Sequence, residues 1–217
     1  FLLLNLNNVT KIVYCKKISN INLTKKTKSQ LAILKAAKDC FWKYGINKVT
    51  VEEICEKAGV SKMTYYRSFA NKKVVAVMVL KDVINRSEQL YDTIMAKEID
   101  FPQKMKEVVL LEHEFSRGIS QEFIADIMNN EEEELQQLII EANKNGQEKF
   151  IQHLKAAQKE GWVRKDLHFP FLTYMMNDIN KKLRDEKLMA MYESTEDLIM
   201  EMVNFFFYGI VSPEKLK

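Results

Sequence analysis

The stretch Thr50 to Phe69, TVEEICEKAGVSKMTYYRSF, sets two short helices on either side of a sharp turn and leaves few other folds open. Thr50 followed by Glu53 reads as a capping box, in which the hydroxyl accepts from a first-turn amide and the carboxylate reaches back to the cap. Behind it Val51, Ile54, Cys55 and Ala58 recur at i, i+3, i+4 and i+7, so the segment has one apolar face. Gly59 then stops the helix, since glycine enters a left-handed turn without a Cβ penalty. Val60 is placed to plug inward, and Ser61 caps a second helix running to about Phe69. Two short helices joined by a tight glycine turn make a helix-turn-helix. On the second helix Tyr65 and Phe69 lie one turn apart and share a buried face, while Lys62, Met63, Tyr66 and Arg67 project from the other side as a candidate for entering a DNA groove.

The rest of the chain is helical in pattern. Thr27 with Gln30 forms another capping box, followed by Leu31, Leu34, Ala37 and Phe41 at helical spacing until Gly45. From Asn71 a long amphipathic helix carries Val75, Met78, Val79, Val83, Leu90, Tyr91 and Ile94 along one stripe. Further helices are expected near 102–116, 120–129, 131–160, 169–190 and 195–211, and the run Glu131 to Glu134 either opposes a helix dipole or forms a solvated acidic face. Six glycines and three prolines among 217 residues interrupt this pattern rarely, and no useful strand alternation occurs. An all-α fold is expected.

Charge divides the chain. Residues 21–81 hold thirteen Lys and Arg against four Asp and Glu, whereas 82–217 carry a net charge of −9. One segment is thus suited to a polyanion and the other to a different task. Residues 1–23 are expected to be a poorly ordered or non-native arm, with Lys11, Lys16 and Lys17 either solvated or touching phosphate. Their apolar run is too short and too broken by Asn for a signal peptide or membrane helix. Cys15, Cys40 and Cys55 show no metal or disulfide spacing, which fits a reducing, cytoplasmic setting, with Cys40 and Cys55 as core filler. No cofactor or metal is expected. The histidines His113, His153 and His168 lack HExxH spacing, and neither a GxSxG elbow nor a Gly-rich phosphate loop occurs, so catalysis is disfavoured.

The segment LIMEMVNFFFYGIV, residues 198–211, is apolar almost all round and too short to span a bilayer. A helix of this kind needs cover on every side, which suggests half core and half subunit interface. Gly209 either permits close helix approach or simply ends the helix.

With these residues in view, GINKVTVEEICEKAGVSKMTYYRSFANKK strongly resembles the DNA-binding domain of the TetR family of bacterial transcription regulators. The matching positions are Gly45, Thr50, Ala58-Gly59-Val60-Ser61, Thr64, Tyr65-Tyr66, Phe69 and Lys72, within residues 27–80. Met63 stands where a glycine is common and Tyr65 where a leucine is. The resemblance implies a helix-turn-helix domain over 24–70 and a helical regulatory and dimerisation domain over 71–217, the latter supported by the turn GWVRKDL and the apolar terminal helix. It implies a dimer through the C-terminal helices on palindromic double-stranded DNA, no membrane partner, and a repressor released by a small-molecule effector. A helical DNA-associated regulator without an effector, or a helical enzyme, are the alternatives.

By position in the motif Tyr66, Ser68 and Lys72 resemble phosphate ligands, with Thr50 near the DNA backbone. Ser61 opens the reading helix, on which Lys62, Met63 and Thr64 face base edges and Arg67 serves either role. For the effector, Tyr91, Met95, Phe115, Phe123, Phe150 and Tyr174 are candidate lining residues with Asn177 as a polar anchor; the same stripe also reads as ordinary core. Met128, Trp162, Met175, Asp178, His113 and His153 complete the wider set.

Overall fold

The computed structural model describes residues 26–128, 133–182 and 185–211. Residues 1–23, with Lys11, Cys15, Lys16 and Lys17, and the acidic residues Glu131 and Glu132 lie outside that set. The described residues form ten helices: α1 (Lys28–Tyr44), α2 (Val51–Ala58), α3 (Lys62–Ser68), α4 (Lys72–Met95), α5 (Phe101–Ser116), α6 (Gln121–Met128), α7 (Glu133–Lys159), α8 (Phe169–Lys182), α9 (Glu186–Met189) and α10 (Thr195–Ile210). The segment expected as a single helix over 169–190 is two helices, α9 being reopened by Asp185, whose carboxylate accepts from the amides of Lys187 and Leu188. Among the described residues the only β pairing is an isolated bridge between Val163 and Val211, and no helix is long and apolar enough to cross a membrane.

Two compact units are formed. The boundary between them falls inside α4, between Asn85 and Arg86, and α6 returns to α1. One unit comprises the described residues of Ile12–Asn85 and Gly118–Leu138, that is α1, α2, α3, the first part of α4, α6 and the start of α7. Its interior contains Ile33, Ala37, Phe41, Ile54, Tyr65, Val75 and Phe123. Both expected capping boxes are present, with Gln30 and Glu53 each reaching back to the cap amide. Phe123 of α6 stacks on Trp42 of α1 at 4.3 Å between ring centroids, and the Ser120 amide donates to the Trp42 carbonyl.

The second unit holds the described residues of Arg86–Arg117 and Ile139–Lys217. The apolar stripe of α10 buries Leu198, Ile199, Val203, Phe206, Phe207 and Ile210, and the Phe207 ring meets Phe150 of α7 edge-on at 6.3 Å. Phe205 and Tyr208, on the opposite side, are 77% and 70% exposed. The GWVRKDL turn closes the end of this helix. Gly161 takes φ 82, the Arg164 amide donates to the Ile210 carbonyl, and its guanidinium donates to the Gly209 carbonyl and to Asp166.

Candidate nucleic-acid interface

Local sequence positions the α2–α3 pair. The Thr50 hydroxyl accepts from the Glu53 amide at 3.2 Å and Glu53 accepts from the Thr50 amide at 2.7 Å. Gly59 lies in the left-handed region at φ 65, ψ 34, and the amides of Gly59 and Val60 donate back to the Glu56 and Cys55 carbonyls. Ser61 starts α3 by accepting from the Thr64 amide at 3.1 Å. The inner face is as expected from the spacing: Tyr65 is fully buried, Phe69 nearly so, and their rings are 5.9 Å apart. Burial pushes the Tyr65 phenol up, and its hydroxyl has no hydrogen-bond partner among the described residues. On the outer face Met63 is 72% and Tyr66 54% exposed, Lys62 and Arg67 are exposed beside them, and Thr64 and Ser68 are half-buried.

Several of these groups are already engaged. Lys62 pairs with Glu52 of α2, and this contact holds the Glu52 carboxyl below its usual range and raises the Lys62 ammonium. The hydroxyls of Thr50 and Ser61 are occupied as helix caps. Lys72, expected at a phosphate, is half-buried and donates to the carbonyls of Asn47 at 3.0 Å and Val49 at 2.6 Å. Burial lowers its pKa, opposed by the charges of Asp126 and Glu53.

The α1–α2 turn that receives Lys72 is also held by α6. Asp126 accepts from the Asn47 amide at 2.8 Å and from the Asn47 side chain at 2.7 Å, and Glu122 pairs with Lys48 at 3.2 Å. Gly45 makes the approach possible. A Cβ there would lie 2.5 Å from an Asp126 carboxylate oxygen and 3.1 Å from Glu122 Cβ, and its φ of 83 disfavours any other residue. Sequence reading found Gly45 as a helix stop and overlooked Asn47 and Asp126. The partners are 79 residues apart, so no local spacing connects them.

The proposed effector residues scatter. Tyr91 is fully buried and its hydroxyl lies 2.8 Å from His153 Nδ1, within hydrogen-bonding distance. Phe150 is fully buried, while Met95, Phe115, Trp162, Met175 and Asp178 are half-buried. Tyr174 is exposed on α8, and Asn177 is exposed and accepts from Gln147 at 3.1 Å. His113 is exposed and sits 2.9 Å from Glu196. Phe123 belongs to the α1–α3 unit, packed on Trp42, because α6 turns back onto α1. The Met128 side chain is outside the described set.

Comparison with known proteins gives the family that the helix-turn-helix segment matches. Residues 33–76, from the first turns of α1 into α4, match the family model for bacterial regulatory proteins of the tetR family. These residues form a TetR-family domain. No curated protein matches the chain. Among solved structures, the regulatory protein TetR from Rhodobacter sphaeroides aligns with a TM-score of 0.68 at 16% identity, covering 85% of this chain and 100% of that one. A putative transcriptional regulator from Saccharomonospora viridis in complex with choline aligns at 0.64 and 15% identity, over 86% of this chain and 100% of that chain. The fatty acid degradation regulator FadR from Bacillus halodurans aligns at 0.61 and 18% identity, over 84% and 96%. The all-α fold is thus that of TetR regulators: an amino-terminal helix-turn-helix domain and a larger helical carboxy-terminal domain. Within the TetR-family domain, Gly59, Ser61, Tyr65, Tyr66, Phe69 and Lys72 all fall inside the matched span.

Proposed function

We propose that this protein is a sequence-specific DNA-binding transcriptional regulator that works as a two-fold dimer on a palindromic operator and is released from it by a small molecule. The exposed outer face of α3 in a TetR-family domain carries the reading: its inner face is fixed by Tyr65 and Phe69, which leaves Met63, Tyr66, Arg67 and the Glu52-paired Lys62 on the solvent side, where a duplex would meet them. In this reading Lys62, Met63 and Thr64 face base edges, Met63 offering its methyl to a thymine, and Tyr66, Arg67 and Ser68 meet phosphates. A short recognition helix reads few base pairs, so two copies are needed.

The outward aromatic residues Phe171 and Tyr174 of α8 and Phe205 and Tyr208 of α10 support the dimer, since large apolar groups at such exposure favour a covering partner. The regulator solved in complex with choline supports a small-molecule effector. Tyr91 and His153 are the polar pair best placed inside the second unit to meet one. The test is selection of duplexes from a random-sequence pool by the full-length protein, followed by binding titrations across salt. Enrichment of a palindrome whose affinity falls steeply with salt is the expected result, and equal binding of all sequences sinks the proposal.

A further inference from the structure

The α1–α2 turn is gripped from two sides by charged groups of opposite sign. Asp126 of α6 accepts two hydrogen bonds from Asn47, one from its amide and one from its side chain. Lys72, at the start of α4, donates to the carbonyls of Asn47 and Val49. Asn47 therefore has its amide, its carbonyl and its side chain all committed. The very next residue after Val49 is Thr50, whose hydroxyl and amide begin α2, so the position of the turn sets where α2 starts and hence where α3 presents its outer face. The absence of a Cβ at Gly45 lets α6 come this close, and the Lys48–Glu122 pair and the Ser120 amide bond to Trp42 fasten the same helix beside it.

Two half-buried ionic groups that saturate a single turn are costly unless their bonds are made, so the arrangement specifies one geometry over its neighbours. A lysine devoted to neutralising DNA has no need of two carbonyls inside its own protein. We infer that Lys72 and Asp126 are positioning residues of the DNA-reading helix pair: they lock the 45–49 turn between α4 and α6, and Lys72 contributes to binding through that turn and not as a phosphate ligand. This rests on the proposed DNA-reading function and assigns to one of its expected contacts a different task.

Charge makes the test decisive. Taking a carboxylate away from a protein surface near a polyanion strengthens binding to any duplex, whereas loosening a positioning contact weakens binding to the chosen one. The full-length protein is compared as wild type, Asp126→Ala, Lys72→Met and the double variant, on a duplex enriched by the wild type and on a random-sequence duplex of equal length. Asp126→Ala is expected to lose about tenfold in affinity for the enriched duplex while holding or gaining affinity for the random one. Lys72→Met is expected to lose a similar factor on the enriched duplex, with the double variant falling well short of the product of the two losses. Asp126→Asn, which keeps one acceptor and the side-chain volume, is expected to lie between, and supplies the measurement if Asp126→Ala does not fold. The inference is overturned if Lys72→Met weakens both duplexes equally and lowers the salt slope by about one, while either Asp126 variant strengthens both. If the wild type enriches no duplex at all, the DNA-reading function itself falls, an outcome visible before any variant is made.

Discussion

At Lys62 the free protein already supplies a counter-ion, Glu52 of the neighbouring helix. A base edge or a phosphate must therefore compete with a carboxylate for the same ammonium, and random DNA offers less in exchange than a well-placed guanine does. Lys62→Ala is expected to relax discrimination at one or two base positions, read as relative affinities over a set of singly substituted duplexes. Glu52→Gln, by contrast, should tighten binding to random duplex and raise the salt slope. The Tyr65 hydroxyl presents a different case. It is fully buried with no hydrogen-bond partner among the described residues, so Tyr65→Phe removes a group that costs energy where it lies. Thermal unfolding of that variant is expected to be unchanged or raised, by up to about 1 kcal/mol; a clear loss would mean that the hydroxyl has found a partner.

Among the elements, the two glycines that end α1 and α2 look alike in sequence and differ in structure. Gly59 has φ 65 and nothing within 4 Å of where a Cβ would stand, so Gly59→Ala should cost only the left-handed conformation, about 1 kcal/mol. Gly45→Ala, at φ 83 and ψ 162, enters a backbone region open essentially to glycine alone and also meets the Asp126 carboxylate and Glu122 of α6, and should cost at least about twice as much in chemical unfolding. On α4, burial pushes the Glu88 carboxyl up to about 7, with the Lys149 charge opposing and Asp92 assisting. An acid whose pKa is higher in the folded state stabilises fully below its unfolded value, and that stability is lost as pH rises through the folded one. The group therefore makes the protein less stable between about pH 4.5 and 7, on the order of 1 kcal/mol after allowance for solvent screening, and Glu88→Gln should flatten urea midpoints over that window. His153 works the other way, since burial lowers its pKa and its contribution is lost as pH falls.

For the whole molecule, the clearest prediction concerns assembly. Phe205→Asp, with or without Tyr208→Asp, places charge on the exposed side of α10 and is expected to shift sedimentation to a single-chain mass, at a cost of about 2–4 kcal/mol in dimer stability. Operator binding should fall with it, while the circular dichroism of the helices stays. Much of the fold was legible beforehand because its signals are local: capping boxes at Thr27 and Thr50, the glycine turn at 59, and the one-turn spacing of Tyr65 and Phe69 need only neighbours in sequence. What escaped was set by tertiary contact. Nothing near Asp126 announces Asn47, and nothing near Phe123 announces Trp42, so α6 read as part of the regulatory half when its side chains belong to the reading unit. The two carbonyl partners of Lys72 escaped for the same reason, lying more than twenty residues earlier in the chain.

The last turn of α10 is finished by residues far upstream, through the Arg164 amide on the Ile210 carbonyl, the Arg164 guanidinium on the Gly209 carbonyl and the Val163–Val211 bridge. Helix ends ordinarily fray on their own. Here the end cannot open without the 163–164 strap letting go, so both stretches should exchange their amide protons with deuterium at one shared rate, as though the chain had been stitched shut there.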